Sequence, residues 1–155
     1  MGASIRWLVF SLVMPKRISV TYLPEPVIDP KTGVFLAKVL RPKIPIFISS
    51  GKKTSDLFHA LVDSGSDRNL FPARLGELVG LDIENGKKSF IYGIGSIKIT
   101  AYEHEVNLHF GRLILKAKVD FSLEQDMPLL GREGFFDLFK RIYLREKKKM
   151  IDFKV

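Results

Sequence analysis

Asp63 follows the apolar run Ala60-Leu61-Val62 and is followed at once by Ser64, Gly65 and Ser66. An apolar run of that length reads as a buried strand and Ser-Gly directly after it as a tight turn, so the carboxylate stands where a strand stops. Such an aspartate is either a turn residue accepting backbone N–H bonds or an acid/base group held rigidly at a cleft. Two further stretches bear on the choice. Tyr92-Gly93-Ile94-Gly95-Ser96, set between strand-like arms, has the composition of a hairpin tip, and Leu129-Leu130-Gly131 is a second apolar run ending in glycine, with Arg132 after it. Hydrolysing an amide without a metal or a covalent intermediate takes a base to activate water and an acid to protonate the substrate. Two carboxylates that share one proton supply both, because like charges at close range cannot both ionise.

The ordered triple of Asp-Ser-Gly, glycine-tipped hairpin and apolar-apolar-glycine resembles the retropepsin-like aspartic proteases, the retroviral type of protease and its bacterial relatives, over residues 44–155. The resemblance implies an all-β, retropepsin-like acid-protease barrel of a single lobe, with two short helices, and an aspartic endopeptidase acting on extended peptides. It implies Asp63 as the catalytic carboxylate, with Ser64, Gly65 and Ser66 in support, and Ser64 bonding across a dimer. Gly93, Ile94 and Gly95 take the place of the flap, and Leu129, Leu130 and Gly131 that of the second glycine element. Asp67 and Arg132 stand where retroviral members carry an ion pair, and Arg can grip a carboxylate with two parallel bonds. The plain alternative is two independent surface charges.

One catalytic aspartate cannot share a proton with itself. Asp120 and Asp126 lack a following Ser/Thr-Gly, and Asp152 sits in a terminal strand before Phe153. A two-fold homodimer resolves the shortage by bringing together two copies of Asp63. The rival reading is an inactive dimeric peptide-binding or scaffold domain with the same fold.

Other candidates carry less. His104-Glu105 with His109 lacks the zinc-protease spacing, since Leu108 stands where the second histidine belongs, and on a regular strand 104 and 109 face opposite sides; both read as solvated strand residues. His59 reads as a sheet residue. Gly93 and Gly95 fail the dinucleotide fingerprint, with Lys98 in the third glycine's place. Phe135, Phe136, Leu138 and Phe139 read as core or dimer packing. No metal and no cofactor is expected.

The chain has 155 residues, 46% hydrophobic and 27% charged, with no cysteine, so one core is affordable while disulfides, zinc-thiolate sites and a cysteine nucleophile are excluded. The net charge of +8 lies largely at Lys52-Lys53 and in the tail from Lys140 to Lys149, and reads as solubility rather than as a nucleic-acid footprint. Ile5 to Met14 is apolar but too short to span a bilayer as a helix, and Pro15-Lys16-Arg17 replaces the small residues of a signal cleavage site. A cytoplasmic protein is expected, with membrane anchoring by the N-terminus the minority reading.

The positioning elements follow from alternation and punctuation. Residues 1–43 read as an apolar N-terminus and a proline-rich arm containing one strand, Val34 to Leu40, and 44–155 as the protease-like domain. Strands are expected at Ile44 to Ile48 and Asp56 to Val62, joined as a hairpin, and a helix from Pro72 to Val79. A flap hairpin should follow, with a bulge or bend near Glu103 where the apolar phase changes. Beyond it come a strand from Leu113 to Phe121, a helix from Glu133 to Phe139, and strands at Arg141 to Leu144 and Met150 to Val155.

Overall fold

A computed structural model describes residues 16–155. The apolar run Ile5 to Met14, with its signal-like and anchor readings, lies outside the described residues. Strands β1 (Arg17–Thr21), β2 (Leu23–Ile28), β3 (Phe35–Arg41) and β4 (Lys43–Ser50) are followed by β5 (Lys53–Thr54), β6 (Phe58–Val62), β7 (Leu70–Pro72) and helix α1 (Ala73–Leu78). Then come β8 (Lys87–Tyr92), β9 (Lys98–Phe110), β10 (Leu113–Ser122), β11 (Leu129–Leu130), β12 (Arg141–Arg145) and β13 (Met150–Lys154).

Six of these strands close into an all-β barrel: β4 pairs with β6, β6 with β11, β11 with β7, β7 with β10, β10 with β9, and β9 returns to β4. Closure removes the sheet edges that would otherwise invite pairing with other chains. Period-2 alternation fills the interior. On β4, Ile44, Ile46 and Ile48 are fully buried while the residues between them are half-buried, and Phe71, Leu108, Val119, Phe121 and Leu130 meet them. Most neighbours run antiparallel, but β6–β11 and β7–β10 are parallel. The first of these pairs brings the two apolar runs of the sequence side by side.

A second sheet, in the order β1-β13-β12, packs Ile151 and Phe153 into the same core. Phe110, Phe135, Phe139 and Phe153 form an aromatic cluster, with Phe110 and Phe153 centroids 4.9 Å apart and Phe135 and Phe139 5.1 Å apart. The segment from Glu133 to Phe139 therefore serves packing. It makes only one 3₁₀ turn, Phe136–Leu138, because Gly134 at φ +93° and the non-helical Phe135 interrupt it before an α-helix can propagate.

The proline-rich stretch forms a two-stranded ribbon of its own, β2 against β3. Every residue of β3 is exposed. Upstream of the ribbon, β1 pairs with β13, and Tyr22 is buried in the core with its hydroxyl donating to Glu146 at 2.7 Å.

The bulge expected near Glu103 is absent. β9 holds one register against β10 from Phe110↔Leu113 to Tyr102↔Phe121. Its apolar phase changes because Ala101 is fully buried on the face opposite Val106 and Leu108, so both faces are covered at mid-strand. No helix among the described residues is long and apolar enough to cross a membrane.

Candidate active site

β6 delivers Asp63 beside the second glycine element. Leu61 and Val62 lie in register with Leu129 and Leu130, and the Asp63 N–H donates to the Leu130 carbonyl at 3.0 Å. On the other side Val62 N–H donates to the Pro42 carbonyl at 2.9 Å. The end of β6 that carries the aspartate is thus held on both flanks. Its carboxylate accepts from the Gly65 N–H at 2.9 Å, the only hydrogen bond it receives among the described residues. Asp63 is half-buried, Ser64 and Gly65 are exposed, and the Ser64 hydroxyl has no partner among the described residues.

The turn is tied down behind the carboxylate. Ser66 N–H bonds back to the Asp63 carbonyl at 3.2 Å, and the Ser66 hydroxyl donates to the Arg68 carbonyl at 2.7 Å. The chain after Gly131 then docks on this loop, with Arg132 N–H on Ser66 O at 3.0 Å and Glu133 N–H on Asp67 O at 2.8 Å. The Arg132 guanidinium also donates to the Asp67 carboxylate, both side chains lying well exposed. Gly131 approaches so closely that an added Cβ would stand 2.3 Å from the Arg68 carbonyl oxygen. Only glycine fits there.

Gly93, Ile94 and Gly95 cap the β8–β9 hairpin. Gly93 N–H donates to Ile97 O at 2.9 Å, and Gly95 takes φ +78° with Ser96 following at +61°. Tyr92 and Ile97 beside the tip are exposed, and the Lys98 ammonium lies 3.7 Å from the Phe90 ring centroid. The hairpin is built on β9, which belongs to the barrel wall, so its base is fixed while its tip stands clear.

Behind the loop, Asn69, Arg68, Glu103 and Asp120 carry roles that the sequence reading did not assign. Asn69 is fully buried; its Oδ1 accepts from Gly131 N–H and its Nδ2 donates to Lys118 O, both at 3.0 Å. Asp120 is buried on β10 with the Arg68 guanidinium 3.3 Å away, and Arg68 also pairs with Glu103. Burial pushes the Asp120 carboxyl above the usual carboxylate range, against the pull of Arg68, and Glu103 adds to the rise. Burial also opposes charge on Glu103, but the Arg68 hydrogen bond and the Arg68 and Lys118 charges outweigh it and hold that carboxyl low. In sequence Asp120 falls in the polar phase of an alternating strand, and that its side is covered shows only in the structure, where Val119 to Ser122 are all buried.

His59 is exposed on β6, while His104 and His109 are half-buried rather than solvated, and each has a partner. His104 Nε2 is 2.8 Å from the Ile83 carbonyl and its ring meets Phe121 edge-on, while His109 stacks on Phe47 at 4.3 Å and bonds Ser49 at 2.8 Å. Burial holds His109 below the usual histidine value. Each is a packed sheet residue because β8, β10 and β4 crowd the strand that carries them. A cavity of about 560 Å³ lined by Lys16, Arg17, Tyr143, Arg145, Asp152 and Lys154 lies on the β1-β13-β12 sheet, away from Asp63.

No protein-family model matches the chain, and no curated protein is similar to it in sequence. Among solved structures, the chain is similar to an EIAV protease complexed with the inhibitor HBY-793, at 18% identity and a TM-score of 0.47. The match covers 59% of this chain and 82% of that one.

Proposed function

We propose that this chain is one half of a homodimeric aspartic endopeptidase that cleaves extended peptides. The observation that carries the reading is the clamped Asp63. Val62 and Asp63 are hydrogen-bonded on opposite flanks, to Pro42 and to Leu130, the Asp63 carboxylate accepts a single N–H, and no carboxyl group among the described residues is hydrogen-bonded to it as a second acid. A second copy related by a two-fold axis supplies that acid as another Asp63. One carboxylate then takes a proton from water while the other gives one to the substrate carbonyl oxygen, and the two exchange roles when the amine departs. The apparent pKa values of such a pair belong to both groups together.

Ser64, exposed and without a partner of its own, would bond across the dimer. Gly65 leaves room for backbone beside the carboxylates. The hairpin tip at Gly93, Ile94 and Gly95 would close over a peptide laid down as an added strand and exclude water. The Arg132–Asp67 pair would hold the loop in the orientation that the dimer needs.

The test is cleavage of a peptide library by the wild type and by Asp63→Asn. Cleavage by the wild type and none by the variant, with both sedimenting as dimers, is the expected result. Cleavage that survives in Asp63→Asn sinks the proposal. A wild type that binds extended peptides but cuts none of them would instead make the chain a dimeric peptide-binding scaffold.

A further inference from the structure

The ribbon formed by β2 and β3 is the largest feature that the proposed chemistry leaves unused. A two-stranded ribbon is marginal in water unless something packs on it. This one pairs only with itself, makes no substantial contact with any other strand of the described residues, and leaves Ile28, Val34, Phe35, Leu36, Val39 and Leu40 exposed. Six large apolar side chains on one short ribbon mark an interaction surface rather than ordinary scatter.

Its point of attachment identifies the occupant. β3 ends at Arg41, and the next residue, Pro42, accepts the hydrogen bond from Val62, the neighbour of Asp63. Lys43 lies in register with Leu61 and pairs with Glu25 of β2 at 2.5 Å, which fixes the ribbon's base against the site strand. The ribbon therefore springs from within about two strand spacings, roughly 10 Å, of Asp63. If two Asp63 carboxylates share a proton, the two-fold axis passes between them, and the base of the ribbon lies within about that distance of the axis. With six residues per strand in β2, the ribbon extends about 20 Å from its base, far enough to reach past the axis. No barrel strand among the described residues packs extensively on it.

We propose that the β2–β3 ribbon is a dimerisation arm whose apolar side chains pack on a second copy of this chain, each protomer embracing the other. A two-fold axis makes the contact reciprocal, so the area that one arm buries is counted twice. The inference rests on the shared-proton reading only for the position of the axis.

Two kinds of variant test it. Phe35→Ser with Leu36→Ser changes residues that are already exposed, so the protomer should fold with an unchanged circular dichroism spectrum. Its dimer dissociation constant by sedimentation equilibrium should rise tenfold or more, about 1.4 kcal/mol. For the second, the chain's lack of cysteine allows Leu36→Cys to be labelled uniquely with benzophenone maleimide and mixed with unlabelled protein grown in ¹⁵N. Cross-links from light to heavy chains are expected. Cross-links confined to the labelled chain, or a dissociation constant unchanged by the serine pair, overturn the arm. Either result leaves the protease reading to its own test, because peptide cleavage by the wild type does not depend on which surface holds the dimer. Conversely, an arm that cross-links between chains in a wild type that cleaves nothing keeps the arm and discards the protease.

Discussion

Asn69 and Gly131, 62 residues apart in sequence, are joined by a hydrogen bond of 3.0 Å from the glycine N–H to the amide oxygen, and the other end of the same amide grips the Lys118 carbonyl. One buried side chain thus ties the loop after Asp63 to the second glycine element and to β10. Asn69→Ala would strand a buried N–H and a buried carbonyl, at a cost of about 2 to 4 kcal/mol. Asn69→Asp keeps the acceptor but loses the donor, and should fall between wild type and alanine. Urea unfolding of the three proteins at one pH measures the order.

Two glycines of the site should respond differently to the same added methyl. At Gly131 the obstacle is the Arg68 backbone, 2.3 Å from the new Cβ, whereas at Gly65 it is the Asp63 carboxylate itself, 3.1 Å away. A backbone cannot swing aside, so Gly131→Ala should reduce soluble, folded protein several-fold. Gly65→Ala should fold with an ordinary melting temperature and, under the proposed function, lose peptide cleavage, because the side chain that must give way is the one proposed to react. Thermal melts beside peptide turnover separate the two.

The pH dependence of stability has opposing contributions. Asp120 has its pKa raised on folding, so between its ordinary value and the raised one the folded state holds a proton that the unfolded state has released. Stability therefore falls as pH rises through that window. Asp152, bonded by Ser19, Arg17 and Arg145, and Glu103, bonded by Arg68, are lowered on folding, and their contributions are lost as pH falls through their folded values. Asp120→Asn should remove the first component and leave the acid-side loss in place. Urea midpoints measured from pH 3 to pH 8 would show it, and an unchanged profile would put the burial of Asp120 in error.

The exposed pair of Arg132 and Asp67 should matter little to a lone protomer, about 1 kcal/mol or less, since water screens both groups and the backbone bonds of Arg132 and Glu133 remain. Under the dimer reading, Arg132→Ala should weaken self-association more than it lowers the melting temperature at protein concentrations below the dissociation constant. Dilution series by sedimentation and by calorimetry make the comparison.

Strands whose residues alternate cleanly, such as Ile44 to Ile48 and Ile151 to Phe153, were readable because one face of each is core. So was Asp63 between an apolar run and a glycine, since strand end and turn are both local events. Pairing was readable only for strands joined as hairpins, β4 with β6 and β8 with β9, and not beyond them. Nothing in Arg17–Thr21 says that it will lie beside Met150–Lys154, and the punctuation of Pro24 to Gly33 described an arm without showing that β2 and β3 would stand apart from the barrel. Asn69, Arg68 and Asp120 were invisible for a related reason. Each draws its role from a group tens of residues away, and none belongs to a local pattern.

β13 lies between β1 and β12, and it is synthesised after both. Until Met150–Lys154 emerges, β1 has no strand to pair with, although it was the first of these strands to be made. Phe110 and Phe135 likewise await Phe153. Assembly of this sheet is thus deferred to the closing moments of translation of these residues. A chain cut short before Phe153 would hold every barrel strand yet leave Phe110 and Phe135 without one of their partners, exposing apolar surface that chaperones and proteases can read.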